Sequence, residues 1–495
     1  MRIQTLTTFR CHAWFILFTV IALLIGCSSL PESSPYARPA APVPATWPTT
    51  ATVDAPPVTP SLDWKTVFPD PCLQSLIETA LTQNRDLQSA TARVEEARAL
   101  YGQASAARIP DVGVGLSENA SRTPASVSSS GAVLDTRRLD FNLNLLSFEL
   151  DFWGRVKALE DAAKASFLAT TYAQHAFRLS LINDVANAYL SQRELGERIA
   201  LGRATLAGRE QTRELLRRRA EVGLANELDV LTTSGAIDLA RADLAALRRQ
   251  QSATENALLL LVGGSERVPL PICGQAHAGT QEPSVNNNTK RNERVVVATI
   301  PAGLPSEVLL NRPDVLAAEQ RLRAAHANIH AARAAFLPTI SLTAGLGVAS
   351  KLLINLFEGG NGAWNFQPMI RYPLFNDSRE ATLNLAEARQ RIAIVDYEKT
   401  IQQAFREVAD LLTARTALIE ELDARQASEQ TQMKRLELVR ARLKQGVANM
   451  LEVLDAERDL YTAQQIRVQI QRLLLATNAS IYKALGSDTQ GVASS

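Results

Sequence analysis

Aromatic side chains make up only 5% of this chain of 495 residues. Ala, Leu, Gln, Glu and Arg take their place, the balance found in long packed helices. Charge of one sign is also lacking. Lys and Arg number 52 against 51 Asp and Glu, and the formal net charge of +1 falls by two, to −1, if Arg2 and Arg10 leave with a leader. Neither value gives a reason to expect a nucleic-acid partner. Proline is missing from residues 125–268 and from everything after Pro373, so nothing in those stretches forces a helix to stop. The apolar run at 13–25 is shorter than the roughly 20 residues of a membrane-spanning helix. No glycine-rich phosphate loop and no nucleophile motif is present, which removes nucleotide binding and covalent catalysis from consideration.

What is present is a repeat. VGLANELDVL at 222–231 returns as QGVANMLEVL at 445–454, pairing Gly223 with Gly446, Ala225 with Ala448, Asn226 with Asn449, Leu228 with Leu451 and Leu231 with Leu454. A glycine that can close one helix in the left-handed conformation, then an Asn that can cap the next, predicts the tip of a helical hairpin. The proline-free runs leading to the tips, 155–221 and 379–445, can each form one helix of about 67 residues, roughly 100 Å long. Return helices are expected from about Glu227 to Val262 and from about Leu451 to Leu485.

The N-terminus carries a processing signal. Arg2 and Arg10 precede the apolar run, which closes on Leu24-Ile25-Gly26-Cys27. That tetrapeptide resembles a bacterial lipobox. The resemblance implies cleavage before Cys27, diacylglycerol on its thiol, an N-acyl chain such as palmitate on the new amine, and, with Ser28 next, delivery to the outer membrane; a plain signal peptide with an incidental Cys is the alternative. Cys11 then leaves with the leader, and Cys72 and Cys273 remain. Both lie beside prolines and could pair in an oxidising periplasm, although sequence alone does not bring them within reach.

After Cys27 a Pro/Ala/Ser/Thr-rich stretch runs to about Pro60 as an extended strap. Helical periodicity begins at Pro71, with Leu73, Leu76, Ile77, Ala80, Leu81 and Leu87, and ends at Pro110. The period then changes to two: Val112, Val114 and Leu116 alternate with Gly113, Gly115 and Ser117, and after a Ser-rich loop Leu139, Phe141, Leu143 and Leu145 alternate with Asp140, Asn142 and Asn144. The phase slips near Leu146, which predicts a bulge or break. The polar segment 273–294 reads as a surface loop. From Leu304 the order recurs, with NRPDV beside NRDL at Asn84 and Pro338 beside Pro110. Ile340, Leu342, Ala344, Leu346 and Val348 form one alternating strand, and Trp364, Phe366, Ile370, Tyr372 and Leu374 the other. Each copy is helix, hairpin, long helix, return helix. The expected divisions are a leader at 1–26, a lipidated strap at 27–70, a first repeat at 71–264, an equatorial linker at 265–303, a second repeat at 304–486 and a tail at 487–495.

Four strands with one apolar face cannot close in lipid, where the smallest barrels need about eight and open edges are not tolerated. Several chains must therefore share one barrel. The fold class predicted is an α+β membrane protein: a β-barrel receiving four strands per chain, continuous with a long α-helical barrel outside the membrane, built by internal tandem duplication. A soluble α+β protein whose strands cover a core is the competing reading, and it leaves such long helices without neighbours.

Several stretches resemble the TolC superfamily, specifically outer membrane lipoproteins of the OprM/NodT type that serve resistance-nodulation-division efflux pumps. They are LIGC at 24–27, the strap at 36–47, NRDLQSA at 84–90, FWGR at 152–155, AGLPSEVLLNRPDVLAAE at 302–319, LFEGGNGAWNFQP at 356–368, YPLF at 372–375 and GVANMLEVLDAERDLY at 446–461. The resemblance implies a homotrimer with a twelve-stranded outer-membrane barrel and a periplasmic helical tunnel. It also implies hairpin tips docked on a periplasmic membrane-fusion adaptor joined to an inner-membrane pump, no enzymatic activity, and no cofactor beyond the lipid on Cys27. The expected role is an exit duct for small molecules such as drugs. A duct for type I protein secretion and a non-conducting envelope scaffold are the alternatives. Two departures stand out: Asn376-Asp377-Ser378-Arg379 replaces the family's Asp-Gly-Gly-Arg, and the 273–294 insert lengthens the equatorial region.

Just past the second tip, Leu451, Asp455 and Arg458 share a helix face at i, i+4 and i+7. The resemblance places a periplasmic gate there. In the first copy the Leu is kept as Leu228, but Thr232 and Gly235 replace the charged pair; a solvated surface ion pair is the plainer reading. Gly223, Leu224, Ala225, Gly446, Val447 and Ala448 are small or apolar, suited either to adaptor contact or to packing between tips. His326 and His330 have metal-ligand spacing, but no Cys or acidic residue stands near them in sequence, and they read as part of a polar face, with no metal expected.

Overall fold

The computed structural model describes residues 36–44, 63–223, 226–264, 306–375 and 377–486. Cys27, the leader, Leu224, Ala225, Cys273 with its insert, and Asn376 lie outside them. Two compact units divide the chain, one holding 1–40, 110–159 and 325–387, the other 41–109, 160–324 and 388–495.

The first unit is built on a four-stranded antiparallel sheet in the order β1 (Val112–Thr123), β2 (Leu134–Glu149), β3 (Thr339–Ser350), β4 (Gly362–Arg371). Register follows the period-two pattern. Val114 stands opposite Leu143, Leu143 opposite Leu346, and Leu346 opposite Trp364; one residue along, Gly113, Asn144, Gly345 and Asn365 form the matching row. Since alternate residues point to opposite faces, one face is aliphatic and aromatic and the other is lined by Gly and Asn. The expected irregularity is present: the β2–β3 register shifts between Leu145 and Phe148, and Ser147 takes φ 49° there. Two boundaries differ from expectation. β1 and β2 continue past their apolar alternation because backbone pairing carries on between polar ends, where Ser121 and Thr136 hydroxyls meet at 2.7 Å. β4 ends at Arg371, before Tyr372 and Leu374, because its partner β3 begins opposite it at Thr339, directly after Pro338. At the exit of β2, Asp151 accepts from the N–H groups of Val156 and Lys157 at 3.0 and 2.8 Å and so caps the next helix.

Helices make up the second unit. α1 (Trp64–Val67), α2 (Pro71–Gln83) and α3 (Arg85–Ala106) precede the sheet; α4 (Arg155–Glu221) and α5 (Glu227–Val262) follow the first hairpin, α6 (Pro313–Ala334) opens the second copy, and α7 (Asp377–Lys444) and α8 (Met450–Leu485) close it. The single helical segment expected at 71–110 is broken at Asn84, whose backbone is extended and whose side chain accepts from Leu87 N–H at 2.9 Å. α4 and α7, with 67 and 68 residues, are the long helices expected, and α5 and α8 have 36 residues each. α7 begins two residues before Arg379, with Asp377 and Glu380 in its first turn; acidic groups there favour the helix dipole.

The largest core joins Phe68, Leu73, Leu76 and Ile77 to Ile182 and Val185 of α4, Leu258 and Val262 of α5, and Tyr482 of α8. Each return helix ends against the beginning of its own copy. Asn84 Nδ2 donates to the Leu261 carbonyl at 2.8 Å, and Arg312 Nη1 donates to the equivalent Ala484 carbonyl at 2.7 Å. Gly263 and Gly486 sit in the left-handed region at φ 73° and 65°. A Cβ on Gly263 would run into the Gln83 carbonyl. Further along, Arg467 of α8, 15% exposed, bridges Glu197 of α4 at 2.6 Å and Glu429 of α7 at 2.9 Å. Cys72 is disulfide-bonded.

Two stability predictions follow from these contacts. Gly263→Ala meets both a backbone carbonyl and a disfavoured φ, and is expected to cost about 3 kcal/mol; Gly131→Ala, at φ 67° in open space, is expected to cost about 1 kcal/mol. Thermal unfolding of both variants checks the order. Arg467→Ala strands two largely buried carboxylates and is expected to lose about 2 kcal/mol, less than a fully buried pair because water reaches the site; a double-mutant cycle with Glu429→Ala measures the coupling.

Candidate functional site

The second hairpin tip is shaped by three local devices. Gly446 turns the chain at φ 75°, as Gly223 does at the first tip with the same angle. Asn449 caps α8, accepting from Glu452 N–H at 2.9 Å while the Glu452 carboxylate accepts from Asn449 N–H at 3.3 Å, a reciprocal capping box. Asn226 caps α5 more simply, its side chain accepting from Leu228 N–H at 3.1 Å. Met450, Val453, Leu454 and Ala456 then turn inward on Leu216 of α4 and Leu436 of α7.

That packing decides which face of α8 is free. Leu451 is 55% exposed within the chain, and Asp455 and Arg458 follow it on the outward side. Asp455 Oδ1 lies 3.1 Å from Arg458 Nη1, and Arg458 also reaches Asp459 at 3.2 Å. Asp459 in turn accepts from Arg435 of α7 at 2.6 Å. The result is a charge ladder, Asp455, Arg458, Asp459, Arg435, running from one helix of the hairpin to the other. The Arg435 hydrogen bond, aided by Arg458, holds the Asp459 carboxyl below its ordinary range. Sequence reasoning named Asp455 and Arg458 but missed Arg435 and Asp459. The signal was available: Arg435 and Asp459 lie equally far in sequence from Val447, and in an antiparallel hairpin such residues meet. Arg440 and Glu457, in contact at 2.8 Å, obey nearly the same rule.

The first hairpin lacks charges at the positions equivalent to Asp455 and Arg458, but farther from its tip Arg241 of α5 reaches Asp238 at 3.5 Å and Glu210 of α4 at 2.8 Å. The Thr232 hydroxyl donates to its own helix at Leu228 O, 2.7 Å away, and Gly235 faces open space. Nearer the tip, Arg217 and Arg218 of α4 hold the Glu214 carboxyl down to about 2. Leu228 is exposed like Leu451. Of the tip residues singled out from sequence, Gly223, Gly446 and Val447 are exposed and Ala448 is half-buried.

His326 and His330 come together on α6, with Nε2 of the second 3.3 Å from Nδ1 of the first. Burial lowers both imidazole pKa values, with the nearby Arg333 charge adding to the effect.

The arrangement can be set beside known proteins. The sequence profile described as "Outer membrane efflux protein" matches residues 76–264 and 304–487. The chain is 38% identical over 481 residues to the toluene efflux pump outer membrane protein TtgF of Pseudomonas putida, covering 95% of this chain and 96% of that one. It is 36% identical over 472 residues to the cation efflux system protein CusC of Escherichia coli strain K12, covering 95% and 98%. Among solved structures, CusC superposes with a TM-score of 0.79 at 36% identity over 92% of this chain and 99% of that one. The open-state MtrE outer membrane channel of Neisseria gonorrhoeae does so with a TM-score of 0.79 at 34% identity, over 93% and 98%. A paired-hairpin helical chain with a four-stranded antiparallel sheet, matched to these proteins over nearly its full length, belongs to the outer membrane efflux protein family and acts in export at the cell outer membrane.

Proposed function

We propose that three copies of this chain form a passive, gated exit duct, closed at rest by the second hairpin tip. The observation that carries this reading is the sheet: four strands, an aliphatic and aromatic face against a Gly and Asn face, and free edges on β1 and β4 among the described residues. In lipid those edges must be paired. A trimer supplies twelve strands and pairs β1 of one chain with β4 of the next. Exposed Leu239 and Leu260 on α5, and Ile392, Val395 and Leu438 on α7, call for lateral neighbours in the same way.

In such a trimer the outward face of α8 supplies three copies of Leu451 and three of the ladder. The leucines narrow the mouth and the carboxylates favour entering cations. Gly223, Leu224, Ala225, Gly446, Val447 and Ala448 offer small, apolar contact points to a periplasmic membrane-fusion adaptor, which links the duct to an inner-membrane pump of the resistance-nodulation-division type. The energy for export comes from that pump, and this chain performs no chemistry. Cys27 carries the lipid that adds a second hold on the membrane. The relatives' names include toluene and cation efflux, and a duct lined this way selects weakly among small molecules.

The gate is tested by planar-bilayer conductance. Wild type is expected to show low, flickering conductance that rises several-fold in Asp455→Ala with Arg458→Ala; unchanged conduction would remove the gate assignment, and trimers that never conduct would remove the duct. Acid should act in the same direction. A carboxylate with a depressed pKa keeps its pairing at neutral and mildly acidic pH and loses it as pH falls through the depressed value. Conductance is therefore expected to stay flat from neutral pH through the ordinary carboxylate range and to rise only below it, as Asp459 takes up its proton. Cys27→Ser should abolish incorporation of labelled palmitate while leaving the protein in the outer-membrane fraction, held by its strands; continued labelling would refute the lipidation site.

A further inference from the structure

Two histidines, His326 and His330, stand near the end of α6. They are one helical turn apart, and the structure holds them ring against ring, with centroids 4.5 Å apart and planes inclined by 71°. Their facing nitrogens, His326 Nδ1 and His330 Nε2, are 3.3 Å apart. Two imidazole nitrogens bound to one tetrahedral ion at about 2.1 Å each stand about 3.4 Å apart. The observed contact is a hydrogen bond between the rings, so a bound ion would take the place of the shared proton, with the donor ring changing tautomer, between nitrogens already at the spacing of a two-point chelate.

The surroundings fix the pair. On the same helix, Ile329 and Ala332 are buried against Ala386 of α7, with Leu383 packed alongside, so the helix face bearing the histidines cannot rotate away. The Tyr36 ring meets His326 edge-on, with centroids 5.9 Å apart and planes inclined by 78°. Arg333 is the nearest opposing charge. Its guanidinium is engaged by Glu387 at 3.4 Å, which draws it toward α7. Both rings are half-buried rather than sealed, which leaves an approach for an ion and for the waters that complete its shell. No group of three or more His, Cys, Asp or Glu side chains able to hold a metal occurs among the described residues, so water must supply the remaining ligands.

We propose that His326 and His330 form a binding site for a borderline divalent cation of tetrahedral preference, zinc being the best match to the nitrogen spacing. Neutral imidazole is a preferred ligand for such ions. A two-ligand, water-completed site exchanges its ion readily, unlike a four-ligand structural site. The site concerns the segment that meets Tyr36, and it is independent of whatever the duct exports.

The test is calorimetric titration of the purified full-length protein, stripped with chelator, with zinc chloride, followed by cobalt(II) as a spectroscopic substitute. The expected result is one zinc per chain assigned to this pair and visible-region absorption bands of tetrahedral cobalt. Both should be lost in the His326→Phe, His330→Phe double variant, which keeps a ring at each position and so protects the packing against Tyr36. Each single variant should bind about a hundredfold more weakly, because the second contact is no longer intramolecular. Zinc uptake by wild type that does not exceed uptake by the double variant would overturn the proposal. Cobalt bands that persist in the double variant would also overturn it, by locating the ion elsewhere. Circular dichroism and electrophoretic mobility confirm that the double variant is folded; if it is not, His326→Asn with His330→Asn is judged by the same criteria.

Discussion

A strand edge with unpaired N–H and C=O groups cannot rest in hydrocarbon, and this constraint governs the molecule. The sheet is long enough and apolar enough on one face to lie in a bilayer, yet four strands are too few to close on themselves. In the proposed assembly the missing strands come from other copies. Once three chains must meet at the sheet, their helices are brought together as well, and the exposed leucines of α5 and α7 gain partners. The Gly and Asn face then has a role of its own: small and amide side chains leave a wet interior, and glycines let the Asn side chains of neighbouring strands lie flat against the sheet.

The helices are governed by a second constraint, that of ending cleanly. Helices of 67 and 68 residues have narrow seams and little local reason to stop. They stop at Gly223 and Gly446, where φ turns positive, and the chain restarts under an Asn cap. The same device recurs at Gly263 and Gly486, where a side chain from the beginning of each copy, Asn84 or Arg312, takes up a carbonyl that the helix end leaves open. Each copy is thereby closed by its own residues. Arg467 and its two carboxylate partners add a tie between copies, joining α4 of the first to α7 and α8 of the second.

Much of this was legible in the residues because the signals are local. A proline-free run, a glycine followed by Asn, and an alternation of apolar and polar residues each state a backbone conformation directly. The slip at Leu146 appeared as a register shift because a change of phase along a strand has no other remedy. Strand ends were less legible: polar alternation at 118–123 and 134–138 looks like loop, and only pairing across the hairpin makes it strand. The break at Asn84 was hidden because the apolar period continues through it while the cap interrupts the backbone. Arg435 and Asp459 were missed because a contact between two helices is set by the hairpin's register, which no single helix displays. The pairing of β2 with β3, which joins the two copies into one sheet, is likewise invisible to a reading that takes each hairpin by itself.

The unequal tips have a consequence for counting. Both hairpins turn on glycines of identical φ and Asn-capped return helices, yet only the second carries the Asp455 to Arg435 ladder. In a trimer, the end of the duct would present six equivalent backbone knuckles in two charge patterns, three of each. A partner that reads shape alone finds six seats and one that reads charge finds three. In the proposed trimer the duplication would therefore let a threefold channel meet ring-shaped partners of either stoichiometry.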